Sequence, residues 1–261
     1  MSATAILSAL AEEQQGLIER LTHPVRVERA GREFWRGELQ GRPVVLGLSR
    51  LGKVAAATTA TALIEAFGVS RVVFTGVAGG MGHGVHVGDV VVASEFVQHD
   101  MDASPLFPRY QIPLYGRSLF PCDVTLTAML LEASKAGVAQ GRSRFNQDFG
   151  GLGMAVHTGL IASGDRFVSA TAESRDLHSA LKAGGFVPLA VEMEGAAVAQ
   201  VCFDYGVPFA AVRTISDRAD DDAHLDFARF VSDVASRYAL EIIQALMPML
   251  PQPHSARQTA L

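Results

Sequence analysis

Three separated sets of acidic side chains in this 261-residue chain each lie beside an apolar run. An ionised carboxylate that is buried without a partner costs several kcal/mol, so these acids must meet water, a partner or a ligand. A carboxyl group can also donate a proton to a reacting group when it is protonated, or accept one when it is ionised. The acids are Glu12 and Glu13 after "TAILSALA", Glu192 and Glu194 within "LAVEMEGAAVAQVC", and Asp217 after "FAAVRTIS".

Each acid also has a purely structural interpretation. Glu12, Glu13 and Glu194 could be first-turn acids, which a helix dipole stabilises. Asp217 could accept a hydrogen bond within a turn. The occurrence of all three sets in one chain favours a functional site over three independent structural roles.

The elements around these acids indicate an α/β fold. Short β-branched runs alternate with longer alanine-rich runs of helical period. Strands are predicted at residues 4–9, 43–49, 71–75, 89–97, 154–162, 188–193 and 208–214, and helices at 12–21, 53–67, 125–136, 170–182, 194–205 and 225–247. Strands that are apolar on both faces indicate a largely parallel sheet covered by helices. Ligands bind at the carboxyl ends of such strands, which is where the acids fall.

Composition and charge indicate a globular protein and argue against nucleic-acid-binding and membrane-spanning classes. With 49% apolar and 19% charged residues, the chain is predicted to form one globular domain over residues 1–250, with an exposed loop at 141–153 and a disordered tail at 251–261. The net charge of −5 argues against nucleic acid as a partner. The longest apolar runs are too short to cross a membrane. Cys122 and Cys202 have no metal spacing, which favours a reducing, cytoplasmic setting.

Several short patterns suggest ligands but match poorly. "GLSRLGKV" has P-loop spacing, yet Val54 replaces the hydroxyl residue that would hold magnesium. The glycine-rich "GVAGGMGHGVHVGD" lacks the order of a dinucleotide-binding loop. Histidines such as His83, His86 and His99 lie among polar residues, where solvation is their usual state. We therefore predict no cofactor and no metal.

Seven motifs, in chain order, resemble the 5′-methylthioadenosine/S-adenosylhomocysteine nucleosidases of the nucleoside phosphorylase superfamily. They are "ALAEEQQGL", "GLSRLGKVAAA", "TGVAGG", "VGDVVV", "SGDRFV", "AVEMEGAAVA" and "VRTISDRAD". The resemblance implies a three-layer α/β/α sandwich with a mixed, barrel-like central sheet. It also implies a homodimer that acts on a small nucleoside.

The resemblance assigns roles in cleavage of the bond between adenine and ribose. Asp217 would protonate N7 of the purine, with Ser216 orienting it. Glu13 would activate the attacking water, and we favour Glu13 over its neighbour Glu12 for this role. Such a reaction needs an acid for the leaving group and a base for water.

The resemblance also assigns substrate contacts. Glu194 would accept hydrogen bonds from the ribose hydroxyls, Met193 would line the apolar face of the sugar, and Arg213 would hold the carboxylates and the water. Glu192 would support them. Adenine would stack on Phe167 and bond to the backbone near Val168.

Further positions are implied to shape the rest of the pocket. Phe227 would close over the substrate. Ala103, Leu106 and Phe107 would contribute to the site of the partner subunit. The family often has a hydroxyl residue where this chain has Val77, so the water would lose one partner here.

Four functions stay open at the level of sequence. Hydrolysis of 5′-methylthioadenosine and S-adenosylhomocysteine is the main prediction, and departures such as Val77 leave room for a related aminodeoxyfutalosine hydrolase. A phosphate-dependent nucleoside phosphorylase would need a phosphate site, and "TGVAGGMGHG" contains no arginine. A binding module without catalysis would not need both Glu13 and Asp217.

Overall fold

The computed structural model describes residues 3–145, 154–218 and 236–251, and ten strands in these ranges form one sheet. The strands are β1 (Thr4–Ser8), β2 (Thr22–Arg29), β3 (Arg32–Leu39), β4 (Arg42–Leu48), β5 (Arg71–Gly80), β6 (Val90–Gln98), β7 (Leu119–Pro121), β8 (Val156–Ser163), β9 (Ala190–Glu192) and β10 (Phe209–Asp217). The described helices are α1 (Gln15–Ile18), α2 (Lys53–Phe67), α3 (Val124–Phe145), α4 (Thr171–Ala183), α5 (Gly195–Tyr205) and α6 (Ser236–Leu246).

Five strands close into a barrel. Strand β10 pairs in parallel with β5 and antiparallel with β6, and β6 pairs in parallel with β8. Strand β9 then completes the ring, parallel to β8 and antiparallel to β5. The mixed, barrel-like sheet is therefore confirmed.

The remaining strands extend the sheet away from the barrel. Strand β1 pairs in parallel with both β5 and β4, and β3 and β2 follow as antiparallel neighbours. Strands β2, β3 and the short β7 were not predicted from the sequence. Most β2 side chains are exposed and many are charged, so this strand is held by its backbone pairing with β3 and carries little apolar signal.

Two helical layers cover the sheet. Helices α2 and α5 pack together over one apolar cluster, which contains the barrel residues Phe74, Phe96 and Ile215. Helices α1, α3 and α6 cover a second cluster, which includes Ile6 and Val212. This arrangement gives the predicted three-layer α/β/α sandwich.

Helix bounds agree best where an end signal is present. Helix α2 has the predicted bounds, and Gly68 ends it with a φ of 58°. Helix α1 is only four residues long. Helix α3 extends to Phe145, so the loop prediction for residues 141–153 was wrong for 141–145, while 146–153 lie outside the described residues. The predicted helix at 225–247 is described only from Ser236 onward, and residues 252–261 of the tail are not described.

Strand β5 changes its neighbour halfway along its length. Residues Arg71 to Phe74 pair with β1, whereas Gly79 and Gly80 pair with β9 on the same side. Within the described sheet, residues 75–78 have no strand partner on that side. Such a switch point leaves a crevice at the carboxyl ends of the strands, where ligands bind in open α/β sheets.

In the described ranges, no helix combines the length and apolar character that a membrane crossing requires. The same ranges contain no group of three or more histidine, cysteine or acidic side chains arranged to hold a metal ion.

Candidate active site

A cavity of about 360 Å³ lies at the β5 switch point. The ends of β1, β5, β9 and β10 surround it, and all three predicted sets of acids contribute to its wall. Its charged lining residues are Glu13, Glu192, Glu194, Arg213 and Asp217. Glu12, by contrast, is exposed at the surface and does not line the cavity.

Glu13 is held in the cavity by main-chain amides. Its Oε2 accepts hydrogen bonds from the amides of Ala9 and Leu10, both at 2.9 Å, and its Oε1 accepts one from the Val77 amide at 3.1 Å. Val77 belongs to the stretch of β5 that lies after the residues paired with β1 and before those paired with β9. Burial raises the pKa of Glu13, although these amides and Arg213 oppose the rise.

The carboxylate of Glu13 also requires a small residue opposite it. A Cβ atom at Gly76 would lie 3.3 Å from Oε1 of Glu13 and 3.7 Å from Cζ of Arg213. The first distance is tighter than most Cβ contacts, whereas the second is an ordinary van der Waals contact. Gly76 therefore lets the β5 backbone approach the Glu13 carboxylate closely.

Arg213 is fully buried and neutralises Glu192. Its Nη2 donates to Oε2 of Glu192 at 2.8 Å, and its Nη1 donates to the carbonyl oxygens of Phe74 and Val212. The guanidinium carbon lies 4.1 Å from the centre of the Phe74 ring. The guanidinium is thereby fixed at the cavity floor by partners on several sides.

Glu192 also caps helix α5. Its carboxylate accepts hydrogen bonds from the amides of Glu194 and Gly195 at 2.9–3.2 Å, and it binds the hydroxyl of Ser163. The Ser163 oxygen in turn accepts the Ala196 amide at 2.8 Å. The helix-start role considered for Glu194 thus belongs to Glu192, which explains one of the two acids in "VEMEG".

Glu194 immediately precedes α5, at the N-cap position, but its side chain does not cap the helix. Its Oε1 accepts the amide of Gly52 at 2.7 Å, and its side chain lines the cavity. Burial, followed by repulsion from Glu192, raises the pKa of Glu194 to about 8. A carboxylate can accept about four hydrogen bonds, so Glu194 can receive ligand hydroxyl groups in addition to Gly52.

Asp217 reaches the cavity through an irregularity in β10. The register of β10 against β5 shifts between Ile215 and Asp217, so one residue is accommodated as a bulge. The hydroxyl of Ser216 donates to Oδ2 of Asp217 at 2.8 Å. Both side chains are buried, and both residues line the cavity.

Apolar side chains form the remaining wall. Phe167 lines the cavity while 43% exposed, as a side chain at an opening would be, and Met193 and Val77 also contribute. The side chain of Val168 packs instead in a small cluster with Val191, and Val168 is not among the residues that line the cavity. Leu51 lines the cavity too, but the sequence analysis did not identify it.

Leu51 and Gly52 were missed because their roles depend on tertiary position. They belong to "GLSRLGKV", which was tested as a phosphate loop and counted within a family motif, without a role for either residue. Gly52 has a φ of 90°, a conformation that favours glycine, and its amide faces Glu194. The glycine before a helix start was the one available sequence signal.

The remaining predicted contacts involve the partner subunit's site or a residue that is not described. Ala103, Leu106 and Phe107 do not line this cavity, and Leu106 is 84% exposed. Phe227 lies outside the described residues. No described residue other than Arg213 brings a positive side chain to the wall, and Arg213 already binds Glu192. The wall therefore favours hydroxyl groups and developing positive charge over an anion.

Comparison with known proteins agrees with this geometry. The sequence model of the Phosphorylase superfamily matches residues 3–248. The chain is 32% identical over 246 residues to the 5′-methylthioadenosine/S-adenosylhomocysteine nucleosidase of Shewanella frigidimarina, a match that covers 94% of this chain and 98% of that protein. The chain belongs to this nucleosidase family of the superfamily. The resemblance based on seven motifs is thereby confirmed.

Solved structures of the family share the fold. The nucleosidase from Neisseria meningitidis, in complex with methylthio-immucillin-A, has a TM-score of 0.82 and 32% identity, and the match covers 96% of this chain and all of that one. The futalosine hydrolase of Helicobacter pylori has a TM-score of 0.82 and 31% identity, covering 95% and 98% of the two chains. The nucleoside phosphorylase-like fold is confirmed.

Proposed function

We propose that the protein hydrolyses the N-glycosidic bond of 5′-methylthioadenosine and S-adenosylhomocysteine, releasing adenine and a 5-thioribose product. One observation carries the proposal: Glu13, Glu194 and Asp217 line a single cavity whose cation, Arg213, is already bonded to Glu192. An acid, a base and a hydroxyl acceptor thus surround a space of nucleoside size. Residues 1–250 act as one nucleosidase domain in this proposal.

Glu13 acts as the base. Cleavage passes through a sugar with oxocarbenium character, and a water must attack as the bond breaks. A carboxylate whose pKa is raised by burial binds a proton more strongly, which suits it to accept one from water. The three amides that hold Glu13 fix its position toward the cavity.

Asp217 acts as the acid for the leaving group. Adenine leaves more readily when N7 gains a proton, and Asp217 lies at the cavity wall with its carboxyl oriented by Ser216. Phe167 offers an aromatic face for the purine. Negative charge from the surrounding carboxylates stabilises the developing positive charge on the sugar.

Glu194 binds the ribose hydroxyl groups beside Met193. The hydrogen bond from the Gly52 amide keeps Glu194 in place, while Arg213 and Glu192 form the floor beneath it. A related nucleoside is the second candidate substrate, because the futalosine hydrolase of Helicobacter pylori has the same fold at similar identity. The preference depends on the group at the 5′ position.

We also propose that the protein is a cytoplasmic homodimer. Leu51, Val54 and Leu106 are apolar side chains with at least 59% exposure, and such exposure is common at subunit interfaces. Ala103, Leu106 and Phe107 would then reach the partner's cavity. Both cysteines are free thiols, as is usual for a reducing compartment.

The test is product analysis in phosphate-free buffer. The protein is incubated separately with 5′-methylthioadenosine, S-adenosylhomocysteine and aminodeoxyfutalosine, and the products are separated by chromatography. We expect adenine from the first two substrates at a rate that added phosphate does not increase. Formation of a sugar 1-phosphate, or cleavage of aminodeoxyfutalosine alone, would replace the proposed function.

A further inference from the structure

A charged cluster lies beside the cavity without lining it. It consists of Lys53, Asp100 and Asp165, and is called here the Lys53 cluster. The ammonium group of Lys53 binds the carboxylate of Asp100, accompanied by Oε1 of Gln98 at 3.2 Å, and lies 3.8 Å from Asp165. The Lys53 side chain is only 15% exposed, so these contacts are partly shielded from water.

The Lys53 cluster joins three chain segments. Lys53 is the first residue of α2, Asp100 follows β6, and Asp165 follows β8. The backbone amide of Lys53 donates to Oδ1 of Asp165 at 2.7 Å, and the amide of Asp165 donates to Oδ2 of Asp100 at 2.9 Å. Main chain and side chain are therefore linked in a closed ring of contacts.

Two of these segments carry parts of the cavity wall. Leu51 and Gly52 immediately precede Lys53, and Gly52 provides the amide that binds Glu194. Phe167 lies two residues beyond Asp165. A shift of either segment would move a group that faces the ligand.

The start of α2 at Gly52 depends on a hydrogen-bond acceptor from another chain segment. Gly52 has a φ of 90° and gives α2 no side-chain cap, so Asp165 supplies the acceptor at this helix start. The fit is close, because a Cβ atom on Gly52 would lie 3.1 Å from Oδ1 of Asp165. Burial opposes ionisation of Asp100, but the bonds from Lys53 and the Asp165 amide outweigh it and lower the pKa of Asp100.

We infer that Lys53, held by Asp100 and Asp165, is a positioning residue that keeps the Gly52 amide on Glu194 and fixes the Leu51 and Phe167 walls. Its kinetic consequences rest on the proposed function, whereas its effect on the Gly52 amide does not. Lys53 acts through other groups and does not touch the substrate. Loss of its charge leaves Asp100 and Asp165 to repel each other, which loosens the ring.

The first measurement is amide hydrogen exchange in the ligand-free protein. Lys53→Met keeps the apolar stem and removes the charge, and we expect the Gly52 amide to exchange about tenfold faster. Lys135→Met is the matched control, since Lys135 forms an exposed pair with Glu132 at 2.7 Å. Unchanged exchange at Gly52 in Lys53→Met would overturn the inference, whether or not the protein hydrolyses nucleosides.

The second measurement is kinetic. On 5′-methylthioadenosine, Lys53→Met should lower kcat/KM by about tenfold, because small displacements of positioning groups have effects of this size. Lys53→Arg should retain activity within about threefold, since it keeps the charge. Lys135→Met should behave as wild type.

A double-variant cycle separates positioning from general destabilisation. In a Glu194→Gln background, where the amide–carboxylate bond is already weakened, the loss from Lys53→Met should shrink to about threefold or less. A loss of equal size in both backgrounds would show that Lys53 does not act through Glu194. If wild-type protein releases no adenine, the proposed function fails, and the exchange measurement still decides the inference.

Discussion

Asp89 and Glu194 are both buried acids, but their surroundings differ. Asp89 precedes β6 outside the cavity, accepts the amides of His86 and Ala155 at 3.0 and 2.8 Å, and hydrogen-bonds with the ring of His157 at 2.8 Å. Glu194 accepts the Gly52 amide and faces open space. The comparison indicates that burial alone does not distinguish a functional acid. A functional acid is distinguished by oxygen atoms that face a cavity and can still accept hydrogen bonds.

The largest expected effects concern the acid and base. Asp217→Asn and Glu13→Gln should each lower kcat by about a hundredfold or more while the protein stays folded, because each removes a proton-transfer group. Steady-state kinetics and circular dichroism measure the two properties. Glu12→Gln is the control, since Glu12 is exposed and should remain near wild type. Near-normal turnover in either main variant would remove that residue from the mechanism.

A smaller effect is expected at Glu194. At a pH above 8, where Glu194 is ionised, Glu194→Gln should lower kcat/KM on 5′-methylthioadenosine by about tenfold or more, because hydrogen bonds to a charged acceptor are weakened. The loss should be much smaller on the 2′-deoxy analogue, which lacks one of those hydroxyl groups. If kcat/KM falls equally for both substrates, Glu194 does not bind the sugar, and its functional difference from Asp89 disappears.

Substitution of Asp89 should reduce stability but leave turnover nearly unchanged. Asp89→Asn leaves fewer acceptors for its buried donors and should reduce the free energy of unfolding by about 1–3 kcal/mol. Turnover should change by less than about threefold, since the Asp89 side chain does not reach the cavity. The contact of Asp89 with β10 is a main-chain one, from the Ile215 amide to the Asp89 carbonyl oxygen, and the substitution keeps it. Thermal unfolding and kinetics on the same sample test both statements. A kinetic defect larger than the stability loss would place Asp89 in the reaction.

The last expected effect is on the pH dependence of stability. Burial raises the pKa of Glu194 from 4.5 to about 8, so the folded protein holds a proton that the unfolded chain has released between these values. Stability should therefore fall as the pH rises through this window. Glu194→Gln lacks this proton, so its stability relative to wild type should increase as the pH rises from about pH 5 to about pH 8.5. Ligand-free melting curves that stay parallel would contradict the assignment.

The sequence predicted the barrel core well because its strands are apolar on both faces. Strands β5 and β10 were predicted too short, since their ends carry glycine, serine and aspartate at the cavity. These departures from the strand pattern occur at positions that line the cavity. The exposed strand β2 had no comparable pattern and was missed.

The site was predictable where chemistry was visible in residue type. Glu13, Arg213 and Asp217 lie where their motifs suggested, around one cavity. The division of labour between Glu192 and Glu194 was not predictable, because it depends on which carboxylate points toward the amides of α5. The Gly52 contact depends on two segments that are distant in sequence, and no local pattern records it.

The position of β10 between β5 and β6 also bears on how the chain folds. Strand β10 brings both Arg213 and Asp217, and its pairing with β5 joins residues far apart in sequence, such as Phe209 and Val72. During synthesis, Glu13 and Glu192 emerge before the arginine that neutralises Glu192. We expect barrel closure and charge neutralisation to occur in the same late step, so that a nascent chain ending before β10 cannot assemble the acidic cavity.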